Sequence, residues 1–527
     1  MQIILQILTF RGVIEMDKYQ ICIMISIGVY LIGMLVVGAI CSKKNNSADD
    51  FYLGGRQLGP IVTAMSAEAS DMSSWLLMGL PGVAYLSGIC DAGWTAIGLA
   101  IGTYVNWLIV AKKIRRYTHV CKNSITIPDF FSNRYRDSSN IIMALSAIII
   151  LVFFVPYTAS GFAACGKLFA SLFGVDYLTA MIISAVVIVG YTALGGFLAA
   201  STTDLIQSIV MTVALVIVLV FGVHVAGGID NVIANAKDLP GYFSMNATYA
   251  LETNTASPYG FITKISTLAW GLGYFGMPHI LLRFMAINDH NKLKLSRRIA
   301  TIWVVISLAV AIFIGVVGLA MTNVGAIEFL EGSASETIIV EISSLLSQLG
   351  IIPALLAGVI LAGILASTMS TADSQLIAAS SAVSKNIFGI FVDINNEPKR
   401  TMAMARITLL VIAVIAAIIA RNPDSSVFGI VSFAWAGFGA SFGPVVLFAL
   451  FWRRSNRYGA IAGMISGGAM VFIWKYLVKP MGGIWNIYEL LPAFIIACLF
   501  IIVVSLLTEA PSKEITDEFD KVKALKD

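Results

Sequence analysis

Long apolar stretches recur from one end of this chain to the other, and they leave little choice of fold. About thirteen of them, near 20–41, 61–87, 94–111, 140–172, 178–195, 199–224, 258–287, 298–322, 352–386, 402–420, 425–451, 459–478 and 487–508, approach or exceed the roughly 20 residues an α-helix needs to cross a bilayer. Backbone groups find no water to bond in hydrocarbon, so stretches of this kind fold as helices. Several are longer than one straight crossing requires, which allows tilt, kinks or breaks. Charged residues make up 12% of the 527 positions and hydrophobic ones 58%, whereas a soluble domain carries about 25% charge. A water-facing surface cannot be assembled from that composition. The expected fold is an all-α polytopic membrane protein.

The positive charges fall in alternate connections. One set holds Lys43, Lys44 and Arg56; then Lys112, Lys113, Arg115 and Arg116; then Lys292, Lys294, Arg297 and Arg298; then Lys399 and Arg400; then Arg453, Arg454 and Arg457. The intervening set is acidic or neutral, with Asp91, Asp176, Asp230, Asp238, Glu252, Glu328, Glu331, Glu336 and Glu341. Lys and Arg gather in cytoplasmic loops, so thirteen crossings put the amino terminus outside and the tail Thr508–Asp527 inside a plasma membrane. Residues 17–508 are expected to form one transmembrane domain. An extension, 1–16, precedes it, with Met16 a candidate true start, and a charged cytoplasmic tail, 509–527, follows. The outer connections near 225–257 and 323–350 are too short to fold independently, so any function belongs to the membrane bundle. The six cysteines are scattered without CxxC or CxxH spacing, which suits small apolar packing.

Polar groups inside hydrocarbon are costly and therefore informative. The densest run is Ser66-Ala67-Glu68-Ala69-Ser70-Asp71-Met72-Ser73-Ser74-Trp75. Two carboxylates among hydroxyls and small residues cannot face lipid, and a helix interrupted near Ala69–Ser73 would turn its freed carbonyls toward a cavity. A second interruption is expected at Trp270-Gly271-Leu272-Gly273-Tyr274-Phe275-Gly276-Met277-Pro278-His279. Its glycines and proline weaken helical bonding and let backbone approach a ligand, and Trp270 and Tyr274, four apart, share a helical face. Ser367, Ser370, Thr371 and Ser374 follow i, i+3, i+4, i+7 spacing and form one polar stripe, although such hydroxyls often bond only their own backbone. Asp204, in Thr202–Gln207, is expected near the cytoplasmic end of its span, where snorkelling would suffice. Carbonyl, hydroxyl and carboxylate oxygens suit a hard cation. Two broken helices about 200 residues apart are the mark of a transporter built from inverted repeats.

At these residues the sequence resembles the sodium/solute symporter family, and within it the carriers of proline. The resemblance rests on Tyr52-Leu53-Gly54-Gly55-Arg56, Ala69-Ser70-Asp71-Met72-Ser73 with Trp75 to Gly82, Gly195-Gly196-Phe197-Leu198-Ala199 leading to Thr203-Asp204, Trp270 to Gly276 with Pro278 to Leu281, Met369-Ser370-Thr371, and Ala434 to Ala440. It runs from about residue 17 to 510. It implies a leucine-transporter-like core of five plus five inverted helices with two discontinuous ones, the repeats spanning about 61–224 and 258–451. It also implies a sodium site at the Ala69, Met72 and Ser367 carbonyls and the Ser370 and Thr371 hydroxyls, with Asp71 the carboxylate beside it. Asp204 and Glu68 become candidates for a second ion or an ion path. Ser73, Ser74, Tyr157, Trp270, Tyr274 and Pro278 would form the proline pocket, and Arg56 would take part in coupling. The family's proline carriers have Gly where this chain has Glu68 and Ser74, and commonly Ala where it has Ser367.

The implied activity is secondary active import of proline with sodium, with membrane lipid as surroundings. No cofactor, nucleic acid, obligate protein partner or enzymatic activity is expected. The segment Gly161-x4-Gly166-Lys167 resembles a phosphate loop, but Leu168 stands where Ser or Thr must ligate magnesium and no strand precedes it. An ATP-driven pump is set aside on that ground. A membrane sensor would need an extramembrane domain, and an intramembrane enzyme would need a base paired with a nucleophile, which none of His119, His224, His279 and His290 evidently has; His279 is expected to pack or gate. A passive channel and a sodium symporter for another small amino acid or carboxylate stay open as alternatives.

Overall fold

The computed structural model describes residues 17–42, 48–388 and 398–525. The extension 1–16 and Lys43 and Lys44 lie outside the described residues, as do the side chains of Lys399 and Arg400. Among the described residues, 9 helices are long and apolar enough to cross a membrane. Two shorter apolar helices, Tyr177–Gly190 and Ala403–Ile419, and two interrupted ones complete the expected thirteen crossings. The first interrupted crossing runs through Pro60–Ser74, Trp75–Gly79 and Leu80–Ser87. The second runs through Phe261–Leu268, Ala269–Phe275 and Pro278–Ala286.

Each break has a local cause. Ser73 takes φ 45°, ψ −171°, a conformation costly for a residue with a Cβ. In the second crossing a tight Ala269–Phe275 turn gives out at Gly276, Met277 is extended, and Pro278 starts the next half-helix at a position where its missing N–H costs nothing. The stretches expected as separate helices near 178–195 and 199–224 form one bonded rod, Tyr177–Val225, bent at Gly196 with φ 64° and ψ −173°.

Ile351–Ser381 is the axis of the bundle and packs against Lys18–Ser42, Pro60–Ser74, Ile141–Phe173 and Tyr177–Val225. Small residues let it come close, as where Gly358 meets Ile23 and Ser26. Bulky apolar side chains such as Val29, Val186 and Ile302 point outward, which in a bilayer is lipid contact. The charged and polar groups Glu68, Asp71, Asp204, Arg283 and Asp373 are instead buried.

The connection 225–257 holds a helix, Ile229–Asp238, and an antiparallel hairpin in which Ala247 faces Pro258. The connection 323–350 is not simply a polar loop: it includes the Ile338–Ser347 helix and sends Glu336 into the interior. The tail likewise folds back. Lys513–Ala524 buries Ile515 and Phe519, and Arg136 holds it through Glu514 at 2.8 Å and Glu518 at 2.7 Å.

Candidate ion and substrate site

The break at Ser73 meets the polar stripe of the axial helix. Ser370 Oγ donates to the Ala69 carbonyl at 2.8 Å and lies 3.1 Å from the Ser367 carbonyl. Thr371 Oγ1 donates to the same Ser367 carbonyl at 3.1 Å. Ala69, Ser367, Ser370 and Thr371 are thus brought together across two helices, and their neutral oxygens suit a hard monovalent cation. The Met72 carbonyl receives the Trp75 N–H across the break. The stripe also bonds its own backbone, as Ser374 Oγ does to the Ser370 carbonyl at 2.9 Å, so both readings of these hydroxyls hold at once.

Asp71 is tied to both half-sites. Its carboxylate accepts from Tyr274 Oη at 2.5 Å and its carbonyl from Tyr157 Oη at 3.3 Å. Trp435 Nε1 donates to the Trp270 carbonyl at 2.7 Å. The Trp270 ring stacks on Tyr488 with centroids 5.0 Å apart and leans on Trp75 and Phe428. The glycines beside them have a packing role. A Cβ on Gly271 would strike the Gly98 carbonyl, one on Gly273 the Trp435 indole, and one on Gly276 the Phe438 carbonyl. They let neighbouring helices close on the broken one.

A cavity of about 10 Å³, room for roughly one water, is lined by Ser73, Ser74, Tyr157, Ser160, Thr371 and Gln375 among others. Ser74 Oγ is buried with no hydrogen-bond partner. Trp270, Tyr274 and Pro278 do not line this space; Pro278 is buried at the start of its half-helix. The cavity is far smaller than any amino acid.

Glu68 Oε1 accepts from Trp107 Nε1 at 2.8 Å and Thr103 Oγ1 at 3.1 Å, while Oε2 is buried without a partner. Asp204 does not snorkel. It is fully buried and accepts from Ser66 Oγ at 2.6 Å and Arg283 Nη2 at 3.1 Å. Arg283 is the residue that sequence reasoning passed over. Also buried, it donates to Ser374 Oγ and to the His279 carbonyl as well. A lone arginine inside an apolar span was itself the available signal. The His279 ring packs on Phe154 with centroids 5.7 Å apart.

Arg56 lies where the two interrupted helices begin and end. With φ 57° it donates to the Met285 carbonyl at 2.6 Å and the Ser124 carbonyl at 2.8 Å. Beside it Leu58 N–H donates to the Ala286 carbonyl at 3.1 Å, and Asn288 N–H to the Leu58 carbonyl at 3.0 Å. On the other side of the site, Glu336 accepts from Lys167 Nζ at 2.8 Å and from Ser426 Oγ at 2.9 Å.

A helical bundle whose two broken crossings meet at a buried polar site defines a secondary transporter of the inverted-repeat class. The sodium:solute symporter family matches residues 51–467, and the chain belongs to that family. It is 43% identical to the sodium/proline symporter of Haemophilus influenzae over 95% of this chain and 97% of that one. The sodium/proline symporter of Salmonella typhimurium is 41% identical over 94% and 95%, and the osmoregulated proline transporter OpuE of Bacillus subtilis 40% over 93% and 96%. Among solved structures, a Na+-coupled sialic acid symporter in a substrate-bound outward-open state superposes with TM-score 0.75 at 17% identity, covering 93% of this chain and 99% of that one. The nucleobase-cation-symport-1 family transporter MHP1, in a closed conformation, gives TM-score 0.54 at 13% identity over 89% and 98%. The fold is therefore leucine-transporter-like.

Proposed function

We propose that this protein imports L-proline together with sodium across the plasma membrane by alternating access. The observation that carries the reading is the Ser370 hydroxyl on the Ala69 carbonyl, 2.8 Å apart at the break of a helix. A sodium ion there would take oxygens from both Ala69 and Met72 on one helix and Ser367, Ser370 and Thr371 on the other. Asp71 would supply the nearby charge. Because Asp71 also holds Tyr274, ordering the break orders the pocket of Ser73, Ser74, Tyr157, Trp270, Tyr274 and Pro278. Proline as the solute is supported by relatives named for proline at 40–43% identity.

The coupling is reciprocal: if sodium tightens proline, proline tightens sodium by the same factor. Proline is a zwitterion, so each sodium moves one net charge, worth about 2.3 kcal/mol per 100 mV. A tenfold sodium gradient adds about 1.4 kcal/mol. One sodium then sustains roughly 500-fold accumulation, and a second at Asp204 or Glu68 is not required by the energetics. Opening inward must release Arg56 from Met285. Opening outward must lift Phe428 from Trp75 and Trp270.

In this reading residues 17–508 are the transporter, with repeats of about 61–224 and 258–451. The amino terminus is outside, and the basic connections and the carboxy-terminal helix are cytoplasmic. Radiolabelled proline uptake in proteoliposomes tests the whole proposal. Accumulation should require an inward sodium gradient, and excess unlabelled proline should abolish it. Uptake that follows a proton gradient and ignores sodium overturns the ion; failure of proline to compete overturns the substrate. Asp71→Asn should weaken sodium activation far more than it lowers membrane expression.

A further inference from the structure

The small cavity at the Ser73 break is walled on one side by the Ile141–Phe173 helix, through Tyr157 and Ser160, and on the other by the axial helix Ile351–Ser381, through Thr368, Thr371 and Gln375. None of the described residues that line it is charged. Most of its hydroxyls already have a carbonyl to bond. Ser160 Oγ donates to the Tyr157 carbonyl at 2.7 Å and Thr368 Oγ1 to that of Ile364 at 3.0 Å, while Tyr157 and Thr371 donate to those of Asp71 and Ser367. Two polar groups on the cavity are buried with no partner, Ser74 Oγ and Gln375 Nε2. Leaving such donors unmet is costly, and two of them from separate helices around one space mark a place where an acceptor belongs.

Gln375 is held in place for such a contact. Thr158 Oγ1 donates to its Oε1 at 3.1 Å, which fixes the amide, and the other end, Nε2, carries two hydrogens and can only donate. Gln375 lies four residues beyond Thr371, one turn along the same helical face, so the free amide is close to the proposed sodium oxygens. The space between the donors takes roughly one oxygen atom, as it would one water. An amide N–H repels a cation and receives an anionic oxygen. We infer that Gln375 is a substrate-recognition residue: its Nε2 and the Ser74 hydroxyl hold one carboxylate oxygen of the imported amino acid. The inference rests on the amino-acid import proposed above. It also gives coupling a physical reason. Two neutral donors hold a carboxylate weakly, and the sodium one turn away supplies the charge that they lack.

Competition against radiolabelled proline uptake in proteoliposomes, at saturating sodium, tests it with two ligands that differ only at the carboxylate, proline and prolinamide. Wild type should favour proline. Gln375→Met keeps the length of the side chain and removes the donor. It should weaken proline about 10- to 100-fold and shrink the preference over prolinamide about tenfold, because a hydrogen bond to a charged group is worth more than one to a neutral group. A purely structural loss weakens both ligands alike, so an unchanged preference overturns the inference even where affinity falls. Should Gln375→Met not reach the membrane, Gln375→Glu keeps the Thr158 bond and sets a negative charge against the carboxylate. That variant must weaken proline more than prolinamide, and equal weakening counts against the site. Absence of proline uptake by wild type overturns the transport reading and this inference with it, whereas uptake with an unchanged preference overturns this inference alone.

Discussion

Arg283 lies 3.1 Å from Asp204, and the same guanidinium donates to Ser66 Oγ at 3.0 Å and to Ser374 Oγ, so one buried cation joins its own half-helix to three other helices. Separating such a pair strands a charge in a medium that cannot solvate it, at about 3–5 kcal/mol. Asp204→Asn and Arg283→Gln should each lower the unfolding temperature of the detergent-purified protein markedly. The double variant should recover part of the loss, with a coupling of at least about 1 kcal/mol. Additive losses in that cycle would mean the two residues do not act as a unit.

Ser370→Ala removes one proposed sodium ligand together with the hydroxyl that holds the Ala69 carbonyl. A lost hydrogen bond or ligand to a charge is worth about 1.5–3 kcal/mol. The sodium concentration for half-maximal proline uptake should rise by roughly 10- to 100-fold, at nearly the same maximal rate once sodium saturates. An unchanged sodium dependence removes Ser370 from the site.

Ser74 presents a buried hydroxyl with no partner to the small cavity. Leaving such a group unsatisfied costs about 1–3 kcal/mol, and a bound carboxylate would satisfy it. Ser74→Ala should raise the KM for proline about tenfold at saturating sodium. A KM that stays put, or falls, shows that the hydroxyl does not meet the substrate.

The carboxylate of Glu336 gathers four donors: Lys167 at 2.8 Å, Ser426 Oγ at 2.9 Å, and the N–H groups of Val427 and Phe428 at 3.1 Å. It thereby caps the Val427–Phe451 helix just where Phe428 covers Trp75 and Trp270. Glu336→Gln should loosen that cover. In a cysteine-free background carrying Ser74→Cys, a membrane-impermeant thiol reagent added outside should react roughly tenfold faster, at about 1.4 kcal/mol per decade. Equal rates would mean the cap does not control access.

The thirteen crossings were legible because hydrocarbon thickness sets a length that composition must meet, and both breaks were legible because Glu68 with Asp71, and three glycines before Pro278, cannot sit in an ordinary lipid-facing helix. Glu336 was not, and of Arg283 only its oddity inside an apolar span could be read. Each draws its meaning from partners far away in the chain, Lys167 for the one and Asp204 for the other, and neither partner leaves a periodic signal. Asp204 looked like a snorkelling residue because its depth depends on how Tyr177–Val225 bends at Gly196. The packing role of the glycines at 271, 273 and 276 was not legible either, since the groups that fill their Cβ space, at Gly98, Trp435 and Phe438, lie far off in the chain. The docking of Lys513–Ala524 was hidden for the same reason as the ion pairs, since nothing local distinguishes a tail that folds back from one that does not.

The joint between the two interrupted crossings is made of main chain. Leu58 and Asn288 link the approach to Pro60–Ser74 with the exit from Pro278–Ala286 through N–H and C=O groups alone. Side-chain changes at those two positions leave the splice whole, and only a residue lacking its N–H can open it. Arg56 lies over that joint and grips the Met285 carbonyl through its side chain, so one closure is written in a side chain that sequence can change and the other in main chain that it cannot.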